Sequence, residues 1–367
     1  WITGFIFGSA VGPLIGGLLL EYFWWGSVFL LGVPVMLLLL VTGPLLLPEF
    51  RDERAGRLDF FSAALSVATL LSLIYGLKAI ARDGLAADAV IAIVAGLALG
   101  AAFIRRQRAL ADPMFDLSLF TNRAFSTSVC ALLLTILAMS GAWLLIFQFL
   151  QGVIGLSPLH AGIVMLPPAL VQVLGSALVP PLSRRVRPAL LAGAGLLVAA
   201  AGMSLIACGA AFGSVGILVT GATVMGLGVM PMMVLGTDMV VSAAPPEKTG
   251  TASATSETAS ELGMALGVAV IGSVGMAVYR AALGRALPTL PEGLTAEDRL
   301  AARETLGGAL GVAENLTAEG HVVGAALAKA VKQAFGTALT VNASIGIALL
   351  LLTAILVTVR LSHLNTR

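Results

Sequence analysis

The sequence predicts an all-α membrane protein that crosses the bilayer many times. Of its 367 residues, 58% are hydrophobic and only 11% are charged, and the mean hydropathy is +1.01. Soluble domains average about 45–50% apolar and about 25% charged residues, so an ordinary soluble domain is excluded. The apolar residues form runs of about 20 or more, long enough to cross a hydrocarbon layer of about 30 Å as helices. Lipid offers no partner to a free peptide group, which favours α-helices as the spanning elements.

Cutting the apolar runs at charges, prolines and glycine-rich turns gives ten predicted transmembrane helices. In chain order they cover residues 1–20, 27–47, 60–81, 86–104, 124–150, 159–183, 188–212, 215–243, 250–279 and 335–361. The chain begins at Trp1 inside an apolar run, which we interpret as a fragment of a longer polytopic protein.

The loops predict the orientation, because short cytoplasmic loops are enriched in Lys and Arg. One set of loops, with the C-terminal tail, carries thirteen such residues. They are Arg51, Arg54, Arg57, Arg105, Arg106, Arg108, Arg123, Arg184, Arg185, Arg187, Lys248, Arg360 and Arg367. The opposite short loops offer only Arg82, with Lys78 just inside a helix end. We therefore expect the C-terminus, and the side that precedes Trp1, to be cytoplasmic.

The long connection at about 280–334 is predicted to form an external helical hairpin. Its amphipathic stretches lie near 295–312 and 319–334, and Thr295 followed by Asp298 is typical of a helix start, as is Thr317 before Glu319. A flexible loop is the alternative. The loop 105–123 is expected to run along the cytoplasmic face and to join two helical bundles.

Glycines recur every four residues in the first predicted helix, at Gly4, Gly8, Gly12 and Gly16. This spacing places them on one slowly drifting face, where another backbone can approach closely. Pro13 and Gly17 lie within the same pattern, and the proline favours a bend. Ordinary packing of two helices would explain the glycine spacing equally well.

Three segments resemble a known family. The sequence GSAVGPLIGG, with Gly8, Gly12, Pro13, Gly16 and Gly17, is similar to the antiporter motif on the fifth helix of major facilitator drug–proton antiporters. The segment FLQGVIGLSPLHAG at 149–162 resembles the fourteen-helix (EmrB/QacA-like) branch, and so does PPEKTG at 245–250 running into ETASELG at 257–263. Together these matches cover most of the chain in the order that the family has.

The resemblance implies major-facilitator-type helical bundles and a fragment that lacks the first four helices. Residues 1–47 would be the last two helices of the N-terminal bundle, and 48–113 a cytoplasmic loop with two linker helices. Residues 114–367 would form the C-terminal six-helix bundle with its external hairpin. In the family, the antiporter motif lies between the two bundles and seals the pathway against leak.

The ninth predicted helix carries Glu257 and Glu261, which are four residues apart and share one face. Ala259, Gly263 and Gly267 lie on a different face that suits close packing, so the two acids are free to point into a cavity. A charge near the middle of the membrane costs about 2.5–3.5 kcal/mol on insertion scales. No Lys or Arg lies well inside any predicted helix to neutralise them.

The absence of a neighbouring Lys or Arg predicts the coupling chemistry. Two carboxylates one turn apart repel each other, which favours proton uptake by one of them. If a lipophilic cation binds best to the ionised form, proton and cargo compete for one site. Alternatively, the membrane-spanning part begins at Leu262, and both glutamates then lie at the cytoplasmic interface.

For the other candidate residues, the sequence allows two interpretations each. Asp238, near the cytoplasmic end of the eighth predicted helix, is either a second proton-binding group or an interfacial acid that caps a nearby helix end. Trp143, Phe147, Gln148 and Gln151 lie on the outer half of the fifth helix. Their aromatic faces and amides suit a hydrophobic cation, whereas packing or interfacial anchoring is the alternative.

The leading hypothesis is a proton-coupled secondary transporter in the cell membrane that exports lipophilic, cationic drugs or other toxic compounds. An enzyme is not expected, because the chain has no His-Glu-x-x-His, Gly-x-Ser-x-Gly or phosphate-binding Gly-x-x-x-x-Gly-Lys sequence. The alternatives are an exporter of a lipid, an acidic metabolite or a peptide, and a channel or non-transporting scaffold. An anionic cargo would need a buried Lys or Arg.

The expected partners are the lipid bilayer, the cargo and the proton, and we expect a monomer without cofactors. The net charge of +2 is too small to suggest nucleic-acid binding. No metal site is expected, since the two cysteines lie in apolar runs and the three histidines are scattered. These residues are Cys130, Cys208, His160, His321 and His363.

Overall fold

The computed structural model describes residues 2–46, 59–110, 113 and 115–361, and these residues form helices and no strand. This confirms the all-α polytopic fold class. Trp1, most of the predicted loop 48–59, His363 and the tail with Arg367 lie outside the described residues.

Fifteen α-helices follow one another along the described residues. They are α1 (Ile2–Tyr22), α2 (Ser27–Leu30), α3 (Gly32–Leu46), α4 (Phe60–Asp83), α5 (Ala87–Ala109), α6 (Arg123–Gln148), α7 (Pro158–Val164), α8 (Leu166–Ser183), α9 (Pro188–Phe212), α10 (Val215–Ser242), α11 (Thr249–Leu266), α12 (Gly272–Ala286), α13 (Ala296–Glu304), α14 (Leu306–Ala318) and α15 (Val322–Leu361). Two π-helical turns continue α6 and join α11 to α12, over Phe149–Val153 and Gly267–Ile271.

All ten predicted segments are helical where the structure describes them. Nine helical stretches of the described chain are long and apolar enough to cross a membrane, and α1 adds the shorter apolar stretch Val11–Tyr22. Two segments are interrupted: 27–47 at Leu31, between α2 and α3, and 159–183 at Met165, between α7 and α8. The break at Met165 has a local cause: Pro167 and Pro168 have no N–H to bond to the carbonyl groups of the preceding turn, whereas they fit the first turn of a new helix.

The predicted external hairpin is helical, but its boundaries were wrong. Thr295 and Asp298 do form a capping box, in which the Asp298 N–H donates to Thr295 Oγ1 at 3.1 Å. The stretch 295–312 is divided at Thr305, where the backbone is extended between α13 and α14. Thr317 lies in the last turn of α14 and starts no helix.

The stretch predicted at 319–334 belongs to the last membrane helix. α15 runs for 40 residues from Val322, so it begins well before residue 335. Gly320, with φ +82°, separates it from α14. The residues from 325 to 335 are rich in Ala, Leu and Lys and contain no Pro or Gly, so nothing interrupts the helix before the apolar span.

Six long helical elements surround one apolar core: α6, α8, α9, α10, the α11–α12 pair and α15. α9 and α10 approach most closely at glycines. A Cβ added at Gly195 would lie 2.5 Å from the Gly228 carbonyl oxygen, and one at Gly209 would lie 2.6 Å from the Leu218 nitrogen. Gly195, Gly202 and Gly209 are seven residues apart, so they line one side of α9 and set this distance.

The α4–α5 hairpin is closed by polar side chains at one end. Arg106 makes an ion pair with Asp59 at 3.0 Å, and its guanidinium lies 4.9 Å from the centre of the Phe61 ring. The Gln107 amide donates to Ser62 Oγ at 2.8 Å. Hydrogen bonds from Ser62, together with Arg106, hold the pKa of Asp59 below its usual value. The hairpin packs through α4 on α12 and on the π-turn before it.

The glycine contact between α9 and α10 gives a stability prediction. Changing Gly202 to Leu places a side chain against the Met225 backbone of α10. Overpacking of this kind costs about 1–3 kcal/mol, so we expect a lower thermal midpoint for the purified protein in detergent. The matched control is Gly216→Leu on α10, where an added Cβ meets no described atom within 4 Å. Equal midpoints for the two variants would contradict the packing argument.

Candidate functional site

A cavity of about 1170 Å³ lies among α1, α6, α8, α10 and α11–α12, with the hairpin residues 304–310 at one end. Trp143, Phe147, Gln148 and Gln151 all line it. The spacing of Trp143 and Phe147 places them one turn apart on α6, with ring centroids 6.1 Å apart and planes inclined by 31°. The structure therefore brings the four predicted residues into one wall, where two aromatic faces lie next to two amides.

Sequence reasoning missed the methionines of this cavity. Six of the chain's twelve methionines line it. They are Met139, Met165, Met230, Met233, Met264 and Met276. These residues come from five helical elements and junctions, so no pattern within one segment could reveal them. Thioethers are polarizable and flexible, and such a wall adapts to ligands of different shape.

Two more polar side chains of the cavity wall were not predicted from the sequence. Gln172 of α8 lies against Gly226 of α10, where an added Cβ would be 3.2 Å from its amide nitrogen. Arg280 also lines the cavity. It lies one residue beyond the predicted helix, which ended at 279, whereas α12 continues to Ala286.

Glu257 and Glu261 are both exposed on α11 and do not line the cavity. From Glu257 to Glu261 is four residues and from there to Met264 is three, so all three residues share one helix face. Met264 does line the cavity. Glu261 precedes Met264 by three residues, or about 4.5 Å along the axis. The two acids therefore lie outside this cavity, on the helix face that leads to it, and their place in a cavity stays a prediction.

The opposite face of α11 packs tightly, as predicted. Ala259 and Gly263 are buried, and a Cβ added at Gly263 would lie 2.7 Å from the Leu133 carbonyl oxygen of α6. Ser140 of α6 donates from Oγ to the Met264 carbonyl oxygen at 3.2 Å, just before the π-turn. This contact fixes the rotation of α11, so its acidic face points away from α6.

Asp238 is exposed near the end of α10. Within the described part of the chain its carboxylate has no hydrogen bond or ion pair, so it caps no described helix end. Its role as a second proton-binding group remains a prediction.

The antiporter-like segment of α1 packs on α7, but through fewer residues than predicted. A Cβ added at Gly17 would lie 2.7 Å from Leu159 Cα, and one added at Gly162 would lie 2.9 Å from the Pro13 carbonyl oxygen. Pro13 also lines the cavity. By contrast, a Cβ added at Gly8, Gly12 or Gly16 meets no described atom within 4 Å.

The segment 149–167 makes the turn that supports this contact. Gly155 has φ +87°, a left-handed conformation that suits glycine. Ser157 caps α7 by accepting from the His160 N–H at 3.3 Å. The same hydroxyl donates to Glu21 of α1 at 3.1 Å, so one side chain caps α7 and joins it to α1.

The segment 245–250 is fixed at the start of α11. Lys248 Nζ donates to Asp116 at 2.5 Å and to Ser118 Oγ at 2.9 Å. The Lys248 ammonium is the main cause that holds the pKa of Asp116 below its usual value. The linker before α6 is thereby joined to the loop that precedes α11.

The α1–α7 contact can be tested by cross-linking. Glu21→Cys and Ser157→Cys, with Cys130 and Cys208 replaced by Ala, should react with a short bifunctional thiol reagent. Adding Gly17→Leu should reduce the cross-linked fraction at least about twofold, because the new side chain overlaps the α7 backbone. Gly12→Leu is the matched control and should leave it unchanged. A larger effect of Gly12→Leu would disprove the assigned contact face.

In the described residues, no group of three or more His, Cys, Asp or Glu side chains could hold a metal ion.

Comparisons with known proteins give the family. A model of the Major Facilitator Superfamily matches residues 1–268. The chain is 42% identical to the "Multidrug efflux pump LfrA" of Mycolicibacterium smegmatis over 318 residues, which cover 87% of this chain and 62% of that protein. It is 31% identical to the "Methyl viologen resistance protein SmvA" of Salmonella typhimurium, over 95% of this chain and 69% of that protein.

A third relative, the "Tetracenomycin C resistance and export protein" of Streptomyces glaucescens, is 30% identical over 72% of this chain and 49% of its own length. The chain thus spans less than two thirds of some of these relatives. The matched region contains the α1 contact segment and most of the cavity wall. This chain belongs to the major facilitator superfamily, a family of multi-pass membrane transporters.

Proposed function

We propose that this chain is the greater part of a proton-coupled exporter of lipophilic, cationic drugs or other toxic compounds. Relatives named for multidrug efflux, methyl viologen resistance and tetracenomycin C export support this proposal. A transporter of a lipid, metabolite or peptide on the same fold is the alternative, as is a non-transporting scaffold.

The cavity is the observation that carries the proposal. Its volume of about 1170 Å³ is above the range of about 300–1,000 Å³ that is usual for small-molecule sites. The Trp143 and Phe147 faces would attract a cation through their π systems. The methionines would adapt to cargo of different shape, which favours several related compounds over one.

Proton coupling is assigned to Glu257 and Glu261, with Asp238 as a further acid. The pair is exposed on the α11 face that continues into the cavity wall at Met264. A cargo cation that approaches this face would favour the ionised carboxylates, whereas proton uptake would release it. Competition between the two cations links proton entry to cargo export without a covalent step.

We assign the protein to the cell membrane, with a cytoplasmic C-terminus and a monomeric state. The boundaries 1–47, 48–113 and 114–367 are kept as the proposed division into N-terminal bundle helices, linker helices and C-terminal bundle. The ion pairs of Arg106 and Lys248 would then lie on the cytoplasmic side. The α13–α14 hairpin would lie outside the cell.

Neutralising the acidic pair tests the coupling. In the full-length protein, Glu257→Gln with Glu261→Gln should lower proton-gradient-driven efflux of ethidium at least about tenfold. The reason is that the cargo cation and the proton lose the anionic site for which they compete. Efflux is measured in inverted membrane vesicles by the fluorescence change after a pH gradient is imposed.

The control is Glu247→Gln, in the loop before α11. It should leave efflux and membrane yield unchanged. Full efflux by the double Gln variant would refute the role given to the pair.

The orientation is tested with single cysteines in a cysteine-free background. His321→Cys, in the turn between α14 and α15, should react with a membrane-impermeant maleimide added to intact cells, whereas Glu247→Cys should react only after lysis. The reverse pattern would invert the proposed topology.

A further inference from the structure

Arg280 places a fixed positive charge in the wall of the cavity. It lies on α12 and is partly buried. The proposed function treats the cargo as a cation, and a guanidinium beside a simple cation would be repulsive. The position of Arg280 therefore calls for a cargo group of opposite charge. Such an anionic group on the cargo rests on the proposed function and deepens it.

Most of the donors of this guanidinium have no partner among the residues that the structure describes. Arg280 Nε donates to the Arg303 carbonyl oxygen of α13 at 3.3 Å. Within the described residues the two terminal nitrogens have no hydrogen-bond partner, and no ion pair joins Arg280 to Glu304, which lines the same end of the cavity. A guanidinium presents its donors as a planar fork that matches the two oxygens of a carboxylate.

The α13–α14 hairpin holds Arg280 in this position. The neighbouring Tyr279 is fully buried, and its hydroxyl donates to the Ala302 carbonyl oxygen at 3.0 Å. Backbone oxygens of two successive residues of α13 thus bind two successive side chains of α12. This arrangement restricts the rotation of Arg280, so less freedom is lost when a ligand binds.

The aromatic wall lies within reach of the same end. A Cβ added at Gly152 would lie 2.5 Å from Leu306 Cδ2, so the hairpin that holds Arg280 also touches the turn that follows Gln151. Gln148 and Gln151 also line the cavity; Gln148 follows Phe147 directly, and Gln151 lies one turn beyond Phe147. A flat aromatic ligand that stacks on Trp143 and Phe147 would therefore have these two amides and the Arg280 guanidinium in the same cavity wall.

We propose that Arg280, with Gln148 and Gln151, forms a subsite for a carboxylate carried by a planar aromatic cargo. The aromatic body lies against Trp143 and Phe147, and the carboxylate accepts from the terminal nitrogens of Arg280. Glu304 supplies the opposite charge at the same end, which suits a zwitterion. The chain thus takes aromatic zwitterions in addition to simple lipophilic cations.

A matched pair of dyes tests this subsite. Rhodamine B carries a free carboxylate, and its ethyl ester keeps the same cationic ring without the negative charge. In the full-length protein, Arg280→Met should lower rhodamine B efflux at least about tenfold, the effect expected for loss of a charged hydrogen-bonded pair. Efflux of the ester should stay within about twofold of the wild type. Arg280→Lys keeps the charge without the fork and should be intermediate.

Arg285→Met is the matched control, since Arg285 lies on the same helix, is exposed and does not line the cavity. It should leave both dyes unaffected. Binding to the purified protein, followed by rhodamine fluorescence anisotropy, gives a readout that does not depend on transport, and thermal midpoints identify a misfolded variant.

The subsite is overturned by an equal loss of both dyes in Arg280→Met with an intact fold, or by a wild-type protein that exports the ester but neither binds nor exports the acid. These results leave the proposed function in place. A wild-type protein that exports neither dye contradicts the proposed function itself, and the subsite with it.

Discussion

Close backbone contact between helices determines the rest of this structure. In lipid, helices associate through packing more than through hydrophobic contrast, so positions without a side chain decide which faces meet. Gly195, Gly202 and Gly209 join α9 to α10, whereas Gly263 joins α11 to α6. Because α11 is fixed by its glycine face, its two glutamates have to point the other way. The packing of small residues thus places the charged groups.

The spans were predictable because their signal is local. Each apolar run contains its own reason to form a helix, and the capping box at Thr295 needs only four consecutive residues. The break at Met165 was missed because hydropathy does not register two successive prolines within an apolar run. The length of α15 was missed because its first turns are polar enough to resemble a loop helix, yet nothing in them ends a helix.

The cavity was predictable only where one helix supplies the wall. Trp143, Phe147, Gln148 and Gln151 share α6, so their spacing alone indicated a common face. The six methionines come from separate segments, and only the packing of those segments brings them together. Arg280 was missed for a different reason: the predicted helix ended one residue before it, which removed its charge from the wall. A boundary error of a few residues therefore changed the predicted chemistry of the cargo.

The π-turn at Gly267–Ile271 makes the α11–α12 pair sensitive to its residue count. Such a turn accommodates one residue more than a regular helical turn, and each residue turns a helix by about 100°. Loss of a single residue from this turn would rotate α12 against α11 by about that angle. Arg280 and Met276 would leave the cavity wall, while Glu257 and Glu261 would stay where they are. The number of residues in this five-residue turn therefore matters more for the cavity wall than the identity of their side chains.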